Sequence, residues 1–537
     1  MSTGPGLNVL KVFLGFGVIF MTGVICRLFV YQPSIPALCP PRLQVLSSVP
    51  SPLKPLPPEL SNLKDLLYWP DTPDVQGDFA ASTSPKTSTF HLKEPPRPYY
   101  ELKGKLEAVL VARDHHRRPK AHGGDLFRAR LHSPGLKAGV AGVVQDLENG
   151  TYLLSFPLLW AGEAQVEVRL IHSSEAVGVL RRVWLENQAT VDFRGYYRVN
   201  GHKETVVCNV IPPPGPVCRY RNRFSGEDWF CAQPRDLPCD ALVGHSSGSY
   251  LKVTTAHEEE LLGQKVTNQV LPKGIPPILV NTTVENTTLA LPSRSPCTPG
   301  LPSPVPTGFY HKDVWHSQVC NGRTFPSADL ILDCLQKKIV HMMGDSTLRQ
   351  WWEYLREVVP SLKAIDLHVP YSTGPLLAIE PTRGVVLQWR VHGWPVRTVQ
   401  TPVASLHSMV QELEGIAGGP DTVVLFGLGA HFTTFPPQIF AQRLASLHAT
   451  VKSLLARSPQ TLVVVKVANT GYKSVYGSDW FTLQLNRLLK ATFSGLPVAL
   501  LDAWDMTSCH YLPDNIHPGR VIVRNEVDLF LSFVCPR

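Results

Sequence analysis

Ser346 stands at an abrupt junction in the chain. The apolar run Ile339-Val340-His341-Met342-Met343 stops at Gly344-Asp345-Ser346-Thr347, and Leu348, Trp351, Trp352, Leu355 and Val359 then recur at helical spacing. A serine between the end of a buried strand and the mouth of a helix has free backbone N–H groups beside it. Those groups, with the positive end of the helix dipole, can stabilise an oxyanion next to its hydroxyl. The same tripeptide also suits a plain helix cap, since Asp and Ser are both favoured there. A second stretch near the C-terminus, Asp514-Asn515-Ile516-His517-Pro518, weighs toward chemistry. A serine hydroxyl is a poor nucleophile until a base takes its proton, and an imidazole base needs an acceptor to hold its tautomer. His517 is the candidate base and Asp514 its candidate orienter, so the three residues spell nucleophilic acyl chemistry.

Such a trio needs elements that bring it together. From residue 308 onward, apolar runs at 338–343, 385–389, 422–426, 462–467 and 498–501 alternate with helical patterns at about 346–359, 402–416, 437–457, 479–494 and 519–534. Five buried strands with crossover helices imply a parallel sheet covered on both faces. Ligands of such sheets bind at the carboxyl ends of the strands. Ser346 follows the first strand, and Asp514 and His517 lie in the loop after the last.

The front of the chain reads differently. Short, partly alternating runs at 106–111, 127–131, 151–156 and 166–171 are separated by turn signals such as Gly123-Gly124 and Asn149-Gly150, the rhythm of an immunoglobulin-like β-sandwich. Between two of them, Arg113, His115, His116, Arg117, Arg118 and Lys120 form a basic run that suits either a solvated loop or a contact with anionic glycans. Prolines crowd residues 32 to about 60 and 270–307, as in extended connections. A net charge of +8 over 537 residues is mild and gives no argument for nucleic acid as a partner.

The compartment follows from the N-terminus and the cysteines. Val12 to Cys26 is uncharged and almost wholly apolar, and residues up to Tyr31 extend the run if Arg27 snorkels, so residues 12–31 suit an uncleaved membrane anchor or a secretory signal. Beyond Cys26 there are ten cysteines, an even number that suits complete disulfide pairing in an oxidising lumen. None forms a Cys-x-x-Cys pair, and no metal is expected. Asn149, Asn281 and Asn286 head glycosylation triplets.

Several passages carry a family resemblance. Gly344-Asp345-Ser346 early and Asp514-x-x-His517 late, supported by His392-Gly393, Leu428-Gly429-Ala430-His431-Phe432 and the passage 502–507, make the last domain similar to the SGNH/GDSL hydrolases and more narrowly to their PC-esterase branch. The passage 146–152, with Phe156-Pro157 and Trp160-Ala161-Gly162, is similar to filamin-type immunoglobulin-like modules, and a sandwich followed by the cysteine-rich tail from Cys208 to Cys239 resembles neurexophilin. The chain is thereby identified as similar to the neurexophilin and PC-esterase domain family. With the N-terminal run and the proline-rich segments, this gives five parts: a signal anchor or signal peptide at 1–31, a proline-rich stem at 32–75, a neurexophilin-like immunoglobulin-like domain with cysteine-rich tail at 76–245, a linker at 246–307, proline-rich toward its end, and a PC-esterase (SGNH-like) α/β domain at 308–537. The resemblance makes Ser346 the nucleophile, His517 the base and Asp514 its partner.

The chain departs from the SGNH pattern in one place, because Gly427-Leu428-Gly429-Ala430-His431 lacks the usual Asn. The N–H of Ser346, Gly393, Gly429 and His431 are the oxyanion candidates, His431 equally suiting a packed position. The resemblance implies O-acetyl transfer to, or esterase action on, secretory-pathway glycoconjugates such as sialoglycans, in the Golgi lumen or after secretion. No bound cofactor is expected, and acetyl-CoA is the acyl donor that transfer would call for. The alternative is a silent esterase scaffold carrying a front domain that binds a cell-surface receptor.

Overall fold

The computed structural model describes residues 44–45, 66–71, 78–186, 189–281, 294–471 and 474–536. The apolar run 12–31, most of the stem, Cys39 and Asn286 lie outside them. Among the described residues no helix is long and apolar enough to cross a membrane.

The back half is built on a sheet whose strands run in the order Lys363–Ile365, Leu376–Glu380, Val385–Arg390, Ile339–Gly344, Thr422–Gly427, Leu462–Lys466 and Ala499–Leu501. The last five are parallel and correspond to the five apolar runs in the sequence. Helices pack over the central strands, so Thr422–Gly427 and Leu462–Lys466 read as continuous apolar runs, whereas Val385–Arg390 alternates between buried and half-buried positions. The two remaining strands pair antiparallel and extend the sheet on one edge. Helices Ser346–Val358, Met409–Gly415, Pro437–Arg457, Asp479–Phe493 and Arg520–Val534 supply the cover. Disulfides Cys297–Cys320 and Cys334–Cys535 tie the outer segments of this half.

The front half contains two further sheets. In the first, Lys105–Val111, Thr151–Pro157, Ala138–Asp146, Leu126–Ser133 and Gly162–His172 are successive antiparallel neighbours. Ala138–Asp146 pairs with Leu126–Ser133 through its first residues and with Thr151–Pro157 through its last. Strict alternation along Lys105–Val111 and Thr151–Pro157 sends Leu106, Leu110, Leu154 and Phe156 into a core shared with Phe127, Leu131 and Val168. The second sheet holds the cysteine-rich tail, with Cys208–Cys231 and Cys218–Cys239 bonded across and beside its strands.

The seam between the halves is more intimate than the sequence expects. Residues 246–307, expected as a linker, contribute the helix Ala256–Leu261 and the strand Ile278–Asn281, which joins Gly162–His172. Its β-branched residues alternate inward, a signal that the surrounding prolines mask in the sequence. Thr401–Pro402, from the back half, pairs with Gly244 and His245 at the edge of the cysteine-rich sheet. Two members of the basic run are ion-paired, Arg118 with Asp114 at 2.6 Å and the largely buried Lys120 with Glu175 at 2.6 Å. Asn149 and Asn281 are both exposed.

Of the ten cysteines expected to pair, eight do so among the described residues. Cys509 is buried and, among the described residues, bonded to no other cysteine. It follows the short helix Ala503–Ser508, packed under Gly139, where no second cysteine of the described residues reaches it.

Candidate active site

The helix that begins at Ser346 is capped by its neighbour. The Asp345 carboxylate accepts from the Thr347 N–H at 2.9 Å and the Thr347 hydroxyl at 2.6 Å, while the Asp345 carbonyl accepts from Leu348 and Arg349 at 3.2 Å. Capping therefore falls to Asp345 and not to Ser346. The serine keeps its hydroxyl for another partner, and its own N–H has no acceptor within the helix. That partner is His517: Ser346 Oγ and His517 Nε2 lie 2.7 Å apart. Nucleophile and base are within hydrogen-bond reach across the sheet's carboxyl edge.

The His517 loop is held in place by residues that the sequence does not single out. The His517 N–H donates to Asn515 Oδ1 at 3.0 Å, and Asn469 Nδ2 donates to the Ile516 carbonyl at 2.9 Å. Asn469 Oδ1 in turn accepts from Lys466 Nζ at 2.6 Å, and Lys466 reaches Thr347 Oγ1 at 3.5 Å. Lys466 is only 1% exposed and ends the strand Leu462–Lys466. It also sits 5.7 Å from the Trp351 ring, whose indole N–H donates to the buried Glu526. A buried lysine and asparagine thus link the start of the Ser346 helix to the loop that carries His517. Below that loop, Gly471 adopts φ +130°, and a Cβ on it would stand 2.4 Å from the Ile516 nitrogen. Only glycine fits there. A lysine closing an apolar run was the one available sequence signal for this group.

The electrostatics keep the base neutral. The protein packed around His517 pushes its pKa below the usual histidine value, although the residue keeps an exposed face. Asp345 and Glu353 act against that shift, and Arg349 and Lys466 add to it.

Asp514 is placed otherwise than expected. Its carboxylate ion-pairs with Arg128 of the front half, and Arg128 also lies 3.4 Å from Asp479. No hydrogen bond joins Asp514 to His517 among the described residues. The pair that meets in the structure is Ser346 and His517, with Asp345 the leading negative charge on the imidazole.

The oxyanion candidates flank the nucleophile by topology. The strand leading to Ser346 lies between Val385–Arg390, which leads to His392-Gly393, and Thr422–Gly427, which leads to Gly429 and His431. His392 Nε2 and His431 Nδ1 lie 2.9 Å apart and join those two loops. Burial holds His431 down to about 4, against the pull of Asp345, so its ring is neutral and can offer one N–H. Gly393 and Gly429 both adopt positive φ, at 80° and 148°.

For metals, the described residues bring together one trio, His202, Glu204 and Asp236, with ligand atoms within 4.8 Å of one another. It belongs to the front half, and Glu204 already accepts from the Arg235 and Asp236 amides at 2.9 and 3.0 Å, which is the work of a loop clasp.

With this geometry in view, residues 315–535 match the family model described as NXPE family member 4-like, C-terminal domain. Residues 65–260 match the model described as Neurexophilin. The chain thus joins a neurexophilin-type front half to an NXPE-type back half. Ser346, the His392 and His431 loops and His517 all fall within the NXPE-type stretch, whereas Arg128 falls within the neurexophilin-type stretch. A neurexophilin-type front half and four disulfides mark a protein of the secretory pathway.

Proposed function

We propose that this chain is a serine-dependent acyl-transfer enzyme acting on glycans, an O-acetyltransferase or O-acetylesterase for secretory-pathway glycoconjugates such as sialoglycans. The observation that carries the reading is the 2.7 Å contact between Ser346 Oγ and His517 Nε2 at the mouth of a helix. The proton of Ser346 passes to His517 Nε2 as Oγ attacks the acyl carbonyl carbon. The carbonyl oxygen gains the negative charge and is met by the Ser346 N–H, with Gly393, Gly429 and His431 as further donors. His517 then returns the proton to the departing group, leaving an ester on Ser346. An incoming water or sugar hydroxyl gives its proton to His517 and attacks that ester, and His517 passes the proton on to Ser346 Oγ as the bond to the acyl group breaks.

For transfer, acetyl-CoA is the donor this scheme takes as a substrate, and the Golgi lumen is where anchor, stem and catalytic half would work. We read the back half as an SGNH-like domain and the first front sheet as an immunoglobulin-like sandwich. A second reading, a silent scaffold whose neurexophilin-type half binds a cell-surface receptor, is favoured by the missing Asn at residues 427–431 and by the front-half family match. The two separate on turnover of an aryl acetate by the full chain, with and without a glycan acceptor. Release of phenol, with acetyl appearing on the glycan and both abolished by Ser346→Ala, supports the enzyme. Equal rates for the wild type and Ser346→Ala reject it.

A further inference from the structure

The loop that delivers His517 is built against the front half of the chain. Arg128 ion-pairs with Asp514. Two residues along the same strand, on the same face, Arg130 donates Nη1 to the carbonyls of His510 and, at 3.3 Å, Leu512. On the neighbouring strand, Gly139 comes so close that a Cβ would stand 2.1 Å from the Cys509 carbonyl oxygen. Side chains and backbone of Leu126–Ser133 and Ala138–Asp146 therefore hold the chain from Cys509 to Asp514, three residues short of the base.

Arg128 is central to this hold. Its Nη2 serves Asp514 and lies 3.4 Å from Asp479, and Asp479 accepts from the Gly471 N–H at 3.0 Å, the glycine on which Ile516 rests. Both aspartates are buried or nearly so, and one guanidinium separates their charges. Removing one partner of such a group leaves uncompensated buried charge, a large penalty. With Arg128 gone, the Asp514 carboxylate loses the ion pair that holds it beneath the turn that fixes His517. A cavity of about 310 Å³ opens beside them, lined from both halves by Phe127, Arg128, Trp480, Trp504 and Asp514 among others, so the turn has space to shift.

We infer that Arg128 is a positioning residue for the acyl-transfer reaction: by holding Asp514 it sets the turn that presents His517 to Ser346, and the neurexophilin-type half thereby completes the active site. The effect on rate rests on the enzymatic reading above, whereas the effect on the loop does not. Arg128 touches neither Ser346 nor His517, and a misplacement of about 1 Å can cost about 100-fold in rate.

The test uses the full chain with Arg128→Met, Arg128→Lys and Asp514→Asn, read by amide hydrogen exchange over residues 509–517 and by kcat and KM on an aryl acetate. Arg128→Met is expected to speed exchange in that loop selectively and to lower kcat about 100-fold with KM little changed. Arg128→Lys, which keeps the charge, is expected to restore protection and part of kcat. Unchanged loop exchange in a folded Arg128→Met overturns the inference, as does a loss of kcat that the lysine leaves untouched. Should Arg128→Met not fold, selective loop exchange in Asp514→Asn supports the pairing, and its absence overturns it. A wild type without turnover removes the acyl-transfer reading, and with it the rate effect assigned to Arg128, while the exchange data still decide whether Arg128 anchors the loop.

Discussion

Ser346 Oγ and His517 Nε2 meet at 2.7 Å, 171 residues apart in the chain, while the carboxylate of Asp514 is taken up by Arg128. The base is therefore oriented through its backbone and loop rather than by a carboxylate on its ring. Its pKa then reflects crowding by the protein more than ion pairing, and this has a measurable consequence.

The pH profile should show it. A general base works in its neutral form, and packing lowers the pKa of His517 from the ordinary histidine value of about 6.5. Activity should thus persist as the pH falls through 6.5 and decline only below it. The acid limb of kcat/KM against pH measures this directly. A limb centred at or above 6.5 would contradict the assignment of an unassisted, desolvated imidazole.

Gly471→Ala tests how tightly the loop is seated. A Cβ there would stand 2.4 Å from the Ile516 nitrogen, at a φ of +130° that alanine rarely adopts. The loop must move, and a loss in kcat of about 100-fold is expected with the fold retained. Near wild-type steady-state rates would show that the loop has slack.

Lys466→Met probes the buried link beneath the site. It leaves Asn469 Oδ1 without its 2.6 Å donor and removes the cation beside Glu526. An unsatisfied buried polar group costs about 1–3 kcal/mol, so denaturant unfolding should lose that much stability. Turnover should fall as well, because Asn469 holds Ile516. A variant as stable and active as the wild type would remove Lys466 from the link.

The thiols give a further check. Cys509 is buried, and burial pushes its thiol pKa far up, so it should resist alkylation in the native protein. Unfolding without reduction should expose it to label while Cys208, Cys218, Cys231, Cys239, Cys297, Cys320, Cys334 and Cys535 stay protected as disulfides. Peptide mass mapping would expose a different pairing by leaving Cys509 unlabelled.

Much of the back half was legible because its physics is local and repetitive. The five parallel strands leave short, mostly apolar runs, continuous in Thr422–Gly427 and Leu462–Lys466, and the helices between them carry a 3.6-residue period. Lys363–Ile365 and Leu376–Glu380, the two antiparallel strands at one end of the sheet, carry no such signal, because one is three exposed residues and the other alternates over only five. Ser346 and His517 were readable from their junctions with regular elements. The partner of Asp514 was not, since Arg128 lies 386 positions away in a segment whose charges read as ordinary strand exteriors. Gly471 and Asn469 sit in a loop without periodicity, and only the approach of Ile516 gives them meaning.

The central claim is that Ser346 is an activated nucleophile, and reaction with a fluorophosphonate probe tests it most directly. Intact-mass and peptide measurements on the full chain should find one phosphonyl adduct, on Ser346, formed fastest above the His517 pKa and absent in Ser346→Ala and His517→Ala. A folded wild type that takes no label, or takes it on another serine at the same rate in all three proteins, would contradict the account.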